Sequence, residues 1–135
     1  MATWLLQDTS DSVDGQESVG QLIRDEKELC ATLAVFVLQE PRVLIVNFDD
    51  AEWLHIGIGG PWAFFEHGVI DPWKSEVAVC DCGGVDKPES VWFAYSNQGS
   101  EIPAYWLIPV STVIELVAAY FRDGELPTSV LWEEV

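Results

Sequence analysis

Basic residues are scarce in this 135-residue sequence: 6 Lys and Arg stand against 23 Asp and Glu, a formal net charge of -17. A chain so poor in cations repels phosphate backbones and anionic bilayers, so direct nucleic-acid or membrane binding is not expected. The same field favours a basic partner and speeds encounter with it. Cysteine is scarce too. Cys30, Cys80 and Cys82 are an odd number, which argues against a disulfide framework and for a reducing compartment. The expected location is therefore cytoplasmic. No apolar run nears the roughly 20 residues of a membrane span, since Leu33–Leu38 is soon followed by Glu40 and Pro41. Met1-Ala2-Thr3-Trp4 lacks the basic and long apolar regions of a signal peptide, so none is expected.

Catalytic and cofactor signatures are thin. Neither of the two histidines, His55 and His67, opens the H-x-E of a zinc deaminase, and Cys80-Asp81-Cys82 has no second cysteine pair. A zinc site from Cys80, Cys82, His55 and His67 matches no standard ligand spacing. Gly57-Ile58-Gly59-Gly60 is followed by Pro61 and Trp62, not by the lysine or helix that a phosphate loop requires, and reads as a hairpin turn. Glu66 and Asp71 could form a glycosidase-like carboxylate pair, but among 23 acids such a pairing is expected by chance. Sequence alone leaves a spatial Cys–His pair open. The reading is a non-enzyme with no cofactor and no metal.

What the chain does have is apolar content, 49% of residues, including seven tryptophans. That is enough for one domain over residues 1–135 with a core of its own, residues 1–18 forming a loose polar arm around a possible edge strand at Thr3–Leu6. Asp25 and Glu28 have capping-box spacing, and Leu29, Leu33, Phe36 and Val37 share one helical face, so a helix is predicted at 25–39, stopped by Pro41. Strands are predicted at Arg42–Phe48, Trp53–Ile58, Trp62–Glu66, Glu76–Cys80, Val91–Tyr95 and Ala104–Ile108, with loops at 67–75 and 81–89 and a turn at 97–101. Thr112 and Glu115 predict a second helix at about 111–123, closed by Gly124 and Pro127, before a last β run at Ser129–Trp132. The fold class is α+β: a mostly antiparallel sheet of about six strands with two helices packed on it.

Trp53, Trp62, Trp73, Trp92, Trp106 and Trp132 are more large aromatics than one small core readily absorbs. Trp62 and Trp73 flank loops among acids, a setting that fits an interface anchor as well as a core residue. The expected partner surface is acidic and loop-borne. Its candidates are Asp49, Asp50 and Glu52 in the first hairpin, Glu66 and Asp71 after the third strand, and Trp62 and Trp73 as anchors.

Leu54-His55-Ile56-Gly57-Ile58-Gly59, the helix entry Ile108-Pro109-Val110, the helix exit Phe121-Arg122-Asp123-Gly124-Glu125-Leu126-Pro127 and the ending Val130-Leu131-Trp132-Glu133 occur in an order that resembles one family. It is the deaminase-associated immunity protein family of bacterial polymorphic toxin systems. The resemblance spans roughly residues 25–134 and implies a cytosolic, non-catalytic protein that binds and neutralises a cognate toxin domain. The toxins of such systems include nucleic-acid deaminases and nucleases, which need basic surfaces to hold phosphates. Gly59, Gly124, Pro127 and Trp132 are expected to serve the fold, with Trp132 in the core. The alternatives are an acidic adaptor or nucleic-acid mimic directed at another enzyme, and a small-ligand-binding domain or enzyme.

Overall fold

Asp25 caps the first helix as its spacing predicts, its Oδ1 accepting from the Glu28 N–H at 2.7 Å. Glu28 reaches back to the Arg24 N–H at 3.1 Å, one residue before the cap. A computed structural model of the chain describes residues 3–9, 20–48, 51–70, 73–79, 87–95 and 98–135. Over these residues the order is β1 (Trp4–Asp8), β2 (Gln21–Ile23), α1 (Glu26–Val37), β3 (Arg42–Phe48), β4 (Glu52–Ile58), β5 (Trp62–Ile70) and β6 (Trp73–Val79). Then come β7 (Ser90–Tyr95), β8 (Gln98–Pro103), β9 (Ile108–Pro109), α2 (Val110–Asp123) and β10 (Leu131–Glu134), with a 3-10 turn at Ala104–Trp106.

The class is α+β, with ten strands rather than about six. Seven form a path in the order β10-β6-β5-β4-β3-β1-β2, each neighbour antiparallel to the next. The β7–β8 hairpin joins β3 through a parallel bridge at Arg42–Ala94, and β9 pairs with the start of β5.

Several local expectations change. Residues 67–70 belong to β5, because Gly68 sits inside a ladder rather than ending one. Gln98–Pro103 is a strand instead of a turn, and Ala104–Trp106 is a 3-10 turn instead of a strand. Thr112 caps nothing. Chain direction into α2 is set by β9, with the Val110 N–H bonded to Pro61 O at 3.0 Å, so Pro109 stands at the N-cap and Thr112 lies within the first turn. Gly124 closes α2 in the left-handed conformation as predicted, at φ 72°.

Strand alternation divides the molecule. One sheet face, with Leu44, Val46, Leu54, Ile56, Ala63 and Phe65, packs under Leu29 and Leu33 of α1 and Val113, Leu116 and Val117 of α2. Each such aliphatic side chain contributes roughly 1.5–3 kcal/mol on burial. The segment expected as an edge strand, β1, instead lies between β3 and β2; its Trp4 is 2% exposed and meets Phe121 edge-to-face at 4.9 Å. On the opposite face a smaller core of Val43, Phe64, Phe93, Ile102 and Leu107 lies beneath the β7–β8 hairpin and the 3-10 turn. Among the described residues the hairpin and the 3-10 turn cover part of that face, and Trp73 is left 71% exposed.

Candidate partner surface

On β4 the even-numbered residues Leu54, Ile56 and Ile58 enter the helix-side core. Trp53, His55 and Gly57 therefore point to the helix-free face. The β5 residues paired with them, Gly68, Glu66 and Phe64, share that face. A Cβ on Gly68 would lie 2.1 Å from Trp53 Cε2 and Cζ2, and one on Gly57 would lie 2.0 Å from Phe64 Cε1. Each glycine therefore lets the ring opposite lie flat across the strand, a pairing that restores the burial a strand glycine lacks.

Trp53 is the floor of an aromatic cluster. The His55 ring is 4.4 Å from it and the Trp73 ring 6.0 Å. Tyr95, from the edge of the covering hairpin, lies 5.7 Å from His55. His55 Nδ1 is 3.3 Å from Glu66 Oε1, with the Glu66 side chain 13% exposed. Trp73 is 71% exposed, and its cross-strand neighbour Ile70 is exposed too. Trp53 Nε1 is buried with no hydrogen-bond partner among the described residues. Exposed aromatic and aliphatic side chains beside a carboxylate make this part of the sheet a candidate surface for a partner.

The candidates named from sequence separate. Glu66 and Trp73 lie on this face, within strands rather than loops. Glu52 lies on the other: its Oε1 accepts from the Tyr120 hydroxyl at 2.9 Å and its Oε2 is 3.0 Å from His67 Nε2. Trp62 is half-buried against the smaller core. Asp49, Asp50 and Asp71 lie outside the described residues. Among the described residues next to them, Glu52 pairs with Val69 and the Ile70 N–H donates to Ala51 O at 3.0 Å.

The remaining chemistry is weak. His55 and His67 point to opposite faces, so they cannot share a metal ion, and Cys80 and Cys82 lie outside the described residues. Among the described residues no group of His, Cys, Asp and Glu could hold a metal ion. Burial first, and Glu26 second, push the Cys30 thiol up, the direction opposite to a reactive thiolate. No helix among the described residues is long and apolar enough to cross a membrane.

Trp53, His55, Ile70 and Tyr95 were not among the surface candidates. The signal for the first two was present in Trp53-Leu54-His55-Ile56, where aromatic and imidazole alternate with aliphatic residues. Gly68 within Ala63-Phe64-Phe65-Glu66-His67-Gly68-Val69-Ile70 carried a second signal, since glycine inside a β run often marks close approach by another group. Tyr95 could not be placed without the tertiary fold.

Comparison with known proteins accords with a binding role. No curated protein matches the chain. A family model described as Immunity protein Imm1 matches residues 11–134, nearly the whole chain. The chain therefore belongs to the Imm1 family of immunity proteins, a family whose name implies a toxin as partner.

Proposed function

We infer that the chain neutralises a toxin domain by seating the helix-free face of its sheet over the toxin's active site, and that this toxin acts on nucleic acid as a deaminase or nuclease. The observation that carries the reading is Trp73, a large aromatic 71% exposed beside Trp53 and the Glu66 region of a chain with net charge -17. Aromatic anchors in the middle of an interface carry much of its binding energy. A toxin that grips phosphates presents a basic cleft, and an acidic inhibitor meets it where the phosphates would sit. Asp49, Asp50 and Asp71 remain candidates for acidic contacts with such a cleft. Glu52 and Trp62 act from beneath, holding β4 and the smaller core in place.

The test is binding to the toxin domain encoded by the adjacent gene, together with that toxin's activity on DNA and RNA. Trp73→Ala is expected to speed dissociation about tenfold or more, the effect of losing at least 1.4 kcal/mol at a hot spot, and to restore toxin activity at limiting inhibitor. Unchanged dissociation and full inhibition by Trp73→Ala count against this face.

A further inference from the structure

We propose that the open face holds a receptor for a single guanidinium group, an arginine side chain of the toxin, built from Trp53, Trp73 and Glu66. This rests on the reading of that face as the toxin-docking surface. A guanidinium is planar, stacks on indole faces within about 6 Å, and donates to carboxylates in a fixed fork. Both complements are present. Trp53 lies flat over Gly68 and Trp73 stands 6.0 Å from it at 38°. Glu66 is on the same face, where it pairs across the ladder with His55. His55 engages Oε1, leaving Oε2 to accept from a donor of the partner.

Charge and desolvation choose the occupant. A purely apolar partner would bury the Glu66 carboxylate with only His55 to compensate it, an unfavourable desolvation. A second copy of the chain would bring net charge -17 against -17 and set carboxylate near carboxylate. A lysine ammonium keeps its hydration more tightly and has no planar face to stack. A guanidinium alone combines a donor fork for the carboxylate with a planar face for the rings. With the Glu66 side chain 13% exposed, its ion pair forms in a partly desolvated place, where such pairs bind more strongly than at an exposed rim.

The experiment uses the full chain, 15N-labelled, with Trp53→Phe and Trp73→Phe identifying two of the seven indole N–H signals. Nα-acetyl-arginine amide is the probe, and its uncharged citrulline counterpart the control. Arginine is expected to shift the Trp53 and Trp73 signals at millimolar concentration. Citrulline leaves them in place, and Glu66→Gln weakens the response about tenfold, as expected for loss of a charge-assisted pair. No shift with arginine, an equal shift with citrulline, or an unchanged response in Glu66→Gln overturns the receptor. Toxin binding by Trp73→Ala separates the two ideas. Weakened toxin binding without an arginine response leaves the docking face standing and removes the receptor. An arginine response with toxin binding unaffected removes the docking face, and with it the assignment of the receptor to the toxin.

Discussion

Tyr120 sits where α2 meets the sheet, 5% exposed, with its hydroxyl 2.9 Å from Glu52 Oε1. Burial, then the hydrogen bond to Glu52 and the charge of Glu52, push its phenol well above the ordinary tyrosine value. A group whose folded-state pKa is raised contributes stability that is fully present below its unfolded value, about 10, and lost as pH rises through the folded value. Unfolding free energy is therefore expected to fall as pH climbs beyond about 10, and Tyr120→Phe to flatten that part of the profile. At neutral pH the same substitution should cost about 1–2 kcal/mol, since it removes a buried hydroxyl donor and leaves Glu52 with His67 alone. Denaturant melts of both proteins at neutral and alkaline pH check this, and an alkaline slope equal in the two rejects it. The network also shows what sequence could not tell. Glu52 lies close to Asp49 and Asp50 in the chain and was grouped with them on one acidic surface. Alternation along Glu52-Trp53-Leu54 assigns Glu52 to the face of Leu54, and Tyr120, which makes that assignment matter, comes from the far end of the chain.

The helices were legible because local rules decide them. Leu29 and Leu33 follow a 3.6-residue period, Asp25 caps, and Gly124 stops α2. The one local rule that failed was outcompeted by a strand. Thr112 and Glu115 have capping-box spacing, but β9 delivers the chain to α2 with its cap three residues earlier, and the Pro61 carbonyl takes the first N–H. The two caps should therefore differ on mutation. Asp25→Ala is expected to cost about 1 kcal/mol, the usual loss of a capping carboxylate, and Thr112→Ala less than about 0.5 kcal/mol. Chemical denaturation of the two variants measures the difference, and equal losses would restore the Thr112 cap. Strand boundaries were less legible for a related reason. In Gln98–Pro103 only Ile102 is buried, so no hydrophobic alternation announces β8; it is a strand because β7 is there to pair with it. Trp132 was expected in the core. It is half-buried on the edge strand β10, meeting Phe65 at 5.5 Å while its Nε1 donates to Pro127 O at 2.8 Å. That bond ties the turn after α2 to the strand, a structural role for both residues, as expected, though not the core position expected of Trp132.

At the scale of the whole molecule, one sheet face is sealed by two helices and the other, among the described residues, is covered in part by the β7–β8 hairpin and the 3-10 turn. Composition carried this asymmetry without locating it: seven tryptophans are too many for a single core, and the surplus is divided among the smaller core, the open face and the β7–β8 hairpin, where Trp92 is 62% exposed. Charge adds what packing does not. At net -17 the field acts before contact, whereas Trp73 acts only once surfaces meet, so the two should appear in different rate constants. In physiological salt the Debye length is about 8 Å, so rim charges steer a basic partner over short range and lose influence as salt rises. Association with the toxin is therefore expected to slow about tenfold or more between low and high salt, and dissociation to change little. Reversing Asp49 and Asp50 to lysine should slow association and flatten its salt dependence while leaving dissociation nearly unchanged. Trp73→Ala should do the opposite, speeding dissociation at every salt concentration with association close to that of the parent. Stopped-flow or surface-plasmon kinetics at two ionic strengths separate these effects. If association is insensitive to salt in the parent protein, the acidity serves solubility rather than recognition, and the toxin surface it meets is not basic.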